Sequence, residues 1–133
     1  MRLVTQEASM GCAIACAASL ADLSYKETRR YFDDGEIKEQ TSGFYNRDIV
    51  NVLNKVGIRT KAYGIKRRGN RKIKFSSIVF IGRCPKYPAG HYLLKTINGW
   101  MNPWINFPHT KPIKAGFQKR LSGGARWIIE IIK

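Results

Sequence analysis

The order of the periodicities along the chain predicts an α+β fold, with helices packed against an antiparallel sheet. Two observations carry this. Helical spacing dominates up to Gly57, and two-residue alternation takes over after it. In the second half, Asn98-Gly99 between two apolar runs marks a hairpin.

The elements follow in order. Residues 9–23 (SMGCAIACAASLADL) read as a helix, with Ser9 as the N-cap. This helix is apolar nearly all round, which predicts burial, and its alanines permit a sheet to come close. Ser24 and Glu27 fit a capping box opening a short helix through about Phe32. Residues 45–56 form a third helix, with Ile49, Leu53 and Val56 on one face and Gly57 as the stop. Strands are expected at 58–65, 77–82, 91–97, 100–104 and 126–132.

The chain of 133 residues is 44% hydrophobic, enough for one domain over residues 1–133 with a real core. No apolar run approaches the ~20 residues of a membrane span, and the N-terminus lacks the pattern of a signal peptide. Three cysteines cannot make a full disulfide framework within one chain. They are expected as thiols in a reducing compartment, which places the chain in the cytoplasm. Two histidines without Cys-x2-Cys spacing argue against structural zinc.

The formal net charge is +15, and eight of the nine acidic residues lie before position 49. From 49 to 129 there are 17 Lys and Arg and no Asp or Glu. Paired-carboxylate catalysis and carboxylate-rich metal sites cannot be built from that half. A histidine there must be oriented by an amide, a hydroxyl or the backbone.

Four residues suggest a chemistry. Cys12 stands at a helix start, where free N–H groups and the helix dipole favour a thiolate. The amide of Gln6, six residues upstream, can join the Cys12 N–H in an oxyanion hole. His91 opens a strand after Gly90. Asn102, in Asn102-Pro103-Trp104, can accept from the imidazole and fix its tautomer. A two-residue turn at Asn98-Gly99 pairs Ile97 with Trp100, and that register puts Asn106 opposite His91 instead. Asn106 is therefore the rival of Asn102.

Gln6-x5-Cys12-Ala13-Ile14-Ala15-Cys16 resembles the start of the double-glycine peptidases that process bacteriocin leader peptides, within the wider papain-like group. Residues 44–58 resemble the next helix of that family, Gly90-His91-Tyr92-Leu93-Leu94 its histidine strand, and Asn102-Pro103-Trp104 its Asp-Pro segment. The likeness spans roughly residues 3 to 105. It departs at Gly11, where Asp is usual, at Ala13, where Gly is usual, and at Asn102, where Asp is usual. The resemblance implies a papain-like fold and a stand-alone thiol endopeptidase. Cys12 would be the nucleophile, His91 the base, Asn102 its orienter and Gln6 an oxyanion donor. It needs no cofactor, takes a peptide or protein substrate, and extends to cleavage after glycine. Leu121-Ser122-Gly123-Gly124-Ala125 resembles a double-glycine site in the chain itself, although a glycine turn entering the last strand is the preferred reading.

The alternative is a non-catalytic basic module. Six cations (Lys66, Arg67, Arg68, Arg71, Lys72 and Lys74) crowd a hairpin tip at 66–74 around Gly69-Asn70, suited to nucleic acid or another polyanion. Tyr63, Phe75 and Tyr87 are candidate stacking surfaces or core. Cys16 should face the core, Cys84 should lie in a loop, and His109 should be exposed.

Overall fold

The first helix is shorter than its apolar run. α1 spans Cys12–Ala21, and its N-cap is Gly11, not Ser9. The cause lies upstream. The side-chain amide of Gln6 donates to the carbonyls of Ala8 and Ser9, which holds residues 8–11 in a turn and starts the helix at Cys12. The helix closes at Asp22 in a left-handed cap. Its alanines at 13, 15, 17 and 18 are fully buried, which lets α1 press against its neighbours.

α2 (Tyr25–Arg29) carries the expected capping box between Ser24 and Glu27, but ends before Phe32. α3 (Gly35–Lys38) is a single turn without a periodic signature in the sequence. α4 (Asn46–Lys55) buries Ile49, Val52 and Leu53, and Gly57 follows at φ +90°.

The computed structural model describes residues 1–65 and 72–132. Among them, six strands form one antiparallel sheet: β1 (Thr60–Gly64), β2 (Ile78–Ile81), β3 (His91–Thr96), β4 (Gly99–Asn102), β5 (Gly116–Gln118) and β6 (Ala125–Ile131). Their spatial order is β1-β6-β2-β3-β4-β5. The fold is thus α+β with the helices ahead of the sheet, as the periodicities predict.

Alternation gives the sheet two apolar faces. Ile78, Tyr92, Leu94, Met101 and Ile129 join the alanines of α1 and the buried face of α4. Val79, Ile81, Leu93, Trp100 and Ile128 face the other way, under a cover that includes Ile73, Tyr87, Phe107 and Leu121. α1 packs on β3, and α4 packs on β1 and β6. No described helix is long and apolar enough to cross a membrane.

Two expectations about strand pairing are corrected. The described strands on either side of the basic segment, β1 and β2, are not hairpin partners, because both pair with β6. A strand apolar on both faces, such as Ile128-Ile129, is stabilised more by a central position than at an edge. Residues 66–71 of that segment lie outside the described residues. The β3–β4 turn is also displaced. Thr96 pairs with Gly99, so Ile97 and Asn98 form the loop and Gly99 takes φ +112°. The Thr96 hydroxyl stabilises this turn by donating to the Gly99 carbonyl and accepting from the Asn98 N–H.

Glycine stands before Cys12 for a steric reason. A Cβ on Gly11 would come within 2.1 Å of the Tyr25 hydroxyl oxygen. That buried hydroxyl donates to Glu39 at 2.6 Å, and Glu39 also pairs with Arg29 at 3.0 Å. Gly11→Ala should therefore destabilise the fold by about 1–3 kcal/mol through overpacking. Adding Tyr25→Phe to that variant should recover part of the loss. Urea midpoints of the single and double variants measure both effects, and an unchanged midpoint for Gly11→Ala would refute the clash.

Candidate active site

Cys12 and His91 are far apart in the sequence and reach the same end of the sheet. Cys12 is the first residue of α1, half-buried, on the wall of a cleft of about 320 Å³. Gly90, Tyr92, Gly43, Phe80 and Trp127 also line this cleft. The backbone N–H groups of Tyr92, Ala13 and Cys12 itself lie around the sulfur and favour a thiolate. Burial opposes them and wins, pushing the thiol up to about 11. The lowered thiol pKa expected of a helix start is thus overturned, because desolvation exceeds the help of the helix N–H groups. Cys16, one turn deeper and fully buried, is also held well above its ordinary value by burial.

His91 is 3% exposed and stacks face to face on Tyr87, with ring centroids 4.1 Å apart and planes 1° from parallel. Its Nε2 lies 2.8 Å from Asn102 Oδ1. The register explains why Asn102, and not Asn106, reaches it. With Leu94 opposite Met101, the next pair places Asn102 across from Leu93, two residues from His91 and on the same face. Asn106 instead ties the 103–115 loop together, donating to the Pro112 carbonyl and accepting from the Lys114 N–H.

The Asn102 amide has one self-consistent orientation. The Trp104 backbone N–H can only donate, and it donates to Oδ1 at 2.9 Å. The oxygen that faces His91 is therefore an acceptor, so Nε2 carries the imidazole proton and Nδ1 is left unprotonated. On the other side, Nδ2 donates to the Tyr87 hydroxyl and to Gln118 Oε1, both at 2.8 Å. The Tyr87 hydroxyl passes its own proton to the Trp104 carbonyl at 2.7 Å. All polar groups of this buried amide are satisfied.

Burial pulls His91 down to about 4; the Asn102 bond opposes the shift and the nearby Lys86 charge adds to it. At neutral pH the ring is therefore a neutral base and Cys12 a neutral thiol. A charge on Cys12 would raise the pKa of Tyr87, the ring stacked on His91, which puts the sulfur electrostatically close to that pair.

Gln6 is buried beside this group. Its backbone N–H donates to the Pro103 carbonyl, which ties the segment leading to Cys12 to the Asn102 segment. Both hydrogens of its side-chain amide point at loop carbonyls, and its Oε1 is buried with no protein partner. In this conformation Gln6 braces the turn that precedes Cys12.

Compared with known proteins, the chain matches no family model and no curated sequence. The chemistry of the site rests on its own geometry.

The group offers a sulfur, an imidazole with a defined lone pair, and helix N–H groups able to hold developing negative charge, while among the described residues no hydrogen bond joins Cys12 to His91, whose ring is held by Asn102. Tyr87 and Gln118 belong to the network and were not legible as site residues. Tyr87 sits in an irregular loop, and Gln118 in a three-residue edge strand, so neither falls in a periodic pattern. Beyond Cys12 the cleft continues past Tyr45, Asn46 and Trp127 into a second depression of about 660 Å³ between α4 and β1. Cys84 is a loop thiol accepting from the Tyr87 N–H, and His109 is exposed.

A buried neutral His91 makes stability depend on acid. The unfolded chain takes the proton near pH 6.5 and the folded chain only near 4. Stability is therefore full above about pH 6.5 and falls by about 3 kcal/mol as pH drops to about 4. His91→Phe should remove that part of the slope in urea titrations at several pH values. An unaltered slope would refute a neutral buried ring.

Proposed function

We propose that this chain is a cysteine peptidase of papain-like type, hydrolysing peptide bonds with Cys12 as nucleophile and His91 as base. The observation that carries the reading is the Asn102 amide, whose orientation is fixed by the Trp104 N–H and so leaves Nδ1 of His91 as the free basic nitrogen. The helices-before-sheet α+β architecture and the Gln6-x5-Cys12 spacing are compatible with that family.

In the proposed reaction the Cys12 sulfur attacks the scissile carbonyl carbon while its proton passes to His91 Nδ1. The carbonyl electron pair moves onto oxygen, held by first-turn N–H groups of α1. Gln6 joins as oxyanion donor once its amide leaves one of the loop carbonyls; the longer bond, 3.2 Å to Ser9, is the one to give way. Collapse breaks the C–N bond, and Nδ1 returns the proton to the leaving amine. Water then attacks the thioester, giving its proton to Nδ1. The acid is released and the proton returns to sulfur. Because thiol and imidazole both start neutral, the thiolate forms during attack rather than standing ready beforehand. Cleavage after glycine is part of the proposal, through the resemblance of the N-terminal motif to double-glycine peptidases.

Turnover of a fluorogenic peptide library tests the assignment. Cys12→Ala should abolish cleavage with the fold intact, and His91→Ala should lower kcat by about 10²–10⁴. Asn102→Ala should lower kcat with little change in KM. Cleavage that survives Cys12→Ala would overturn the reading.

Titration gives a separate check. With His91 near 4 as the base, kcat/KM should rise through about pH 4 and then level. Alkylation of free Cys12 by iodoacetamide should keep accelerating toward about pH 11. An alkylation plateau near neutrality would show a preformed ion pair and refute the neutral-pair mechanism.

A further inference from the structure

The two layers of the fold carry very different charge. Eight of the nine carboxylates lie before position 49, and 17 cations lie between 49 and 129, with Lys55 among them at the end of α4. Among the described residues of that half, Lys61 is the one cation with a carboxylate within 4.0 Å, at Glu130. Glu130 is also taken by the Tyr63 hydroxyl at 2.9 Å.

Several of these cations lie on loops that cross the sheet face turned away from the helices, whereas Lys55 belongs to the helical layer. Ile73, Phe107 and Leu121 pack onto that face, so the loops bearing them lie across it. Lys72 and Lys74 flank Ile73, Lys111 and Lys114 follow Phe107, and Lys119 and Arg120 precede Leu121, and all six are exposed. Loop hydrogen bonds fix part of this layout, since Lys86 donates to the Ile105 carbonyl and the Ile105 N–H to that of Lys114. Lys95 anchors the other side through the Ile73 carbonyl, beneath the ring of Phe75, which is 59% exposed.

An uncompensated cation field of this kind, with an exposed aromatic face at its margin, suits a repeating polyanion bearing planar groups. An acidic peptide would be expected in a groove, and the clefts beside Cys12 and Tyr45 open elsewhere, on the helix side.

We propose that the outer sheet face binds the phosphate backbone of single-stranded nucleic acid through the loop cations, leaving the Cys12 cleft free. The contacts are to phosphate, with stacking on Phe75, so binding is tolerant of sequence and sensitive to salt. This surface stands whether or not Cys12 is catalytic.

Anisotropy of a fluorescein-labelled oligothymidylate tests it between about 50 and about 200 mM salt. One variant neutralises the outer face (Lys72→Gln, Lys74→Gln, Lys119→Gln, Arg120→Gln). The other neutralises four cations of the helical layer (Lys26→Gln, Arg30→Gln, Lys38→Gln, Lys55→Gln) and has the same net charge. The outer-face variant should bind at least about tenfold more weakly, with the slope of log K against log salt shallower by about 3. The helical variant should stay within about twofold of the parent. Equal losses in the two would reduce binding to net charge and overturn the surface. Poly-L-glutamate that competes with equal affinity would overturn the nucleic-acid assignment. Alkylation of Cys12 at an unchanged rate under saturating oligonucleotide is expected, and protection of the thiol would overturn the separation of face and cleft.

Discussion

One side-chain amide organises the end of the sheet where the candidate site lies. Asn102 joins β4 to the ring that opens β3, to the loop carrying Tyr87, to β5 through Gln118, and to the backbone at Trp104. Four bonds on one buried amide leave it no second rotamer that satisfies its neighbours. The direction of every proton in the group follows from a single backbone N–H that cannot accept. A tautomer is thus written into the main chain, and an electronic property of an imidazole follows from strand geometry.

The same burial that fixes the group also keeps it uncharged. Removing water raises the Cys12 thiol and lowers the His91 imidazole, so the two shifts reinforce a neutral resting state. The helix N–H groups and the Asn102 bond work against this and lose in the resting state. In the proposed reaction their value would lie in the transition state, where charge appears on groups already surrounded by oriented donors. The Gly11–Tyr25–Glu39 packing beneath the turn lets Cys12 stand at the helix tip without a side chain before it.

Much of the fold was legible because its signals are local. The capping box at Ser24, the apolar face of α4 and the strand around His91 depend on neighbours in sequence. Cys16 was correctly placed in the core by its helical offset from Cys12. What was not legible depends on partners far along the chain. Ser9 loses its capping role because the Gln6 amide holds residues 8–11 in a turn, so that the helix starts only at Cys12. The hairpin loop moves from Asn98-Gly99 to Ile97-Asn98 because the Thr96 side chain stabilises the other turn. That two-step change in register decides between Asn102 and Asn106, and the motif pointed to the residue that the pairing rule did not. The lowered thiol pKa failed for the same reason, since a helix start is visible in sequence and the depth of its surroundings is not. Tyr87 and Gln118 carry no local signature.

The placement of β6 has a consequence for how the molecule is made. β6 lies between β1 and β2, and among the described residues β1 has no other strand neighbour. During synthesis, Cys12, His91 and Asn102 all leave the ribosome before Ala125 does. A nascent chain that has emerged only as far as β5 can zip β2 through β5, while β1 waits with both edges bare. The two halves of the sheet are joined by the last strand to arrive, so a polypeptide cut short of it would keep its reactive groups and lose the scaffold connecting them.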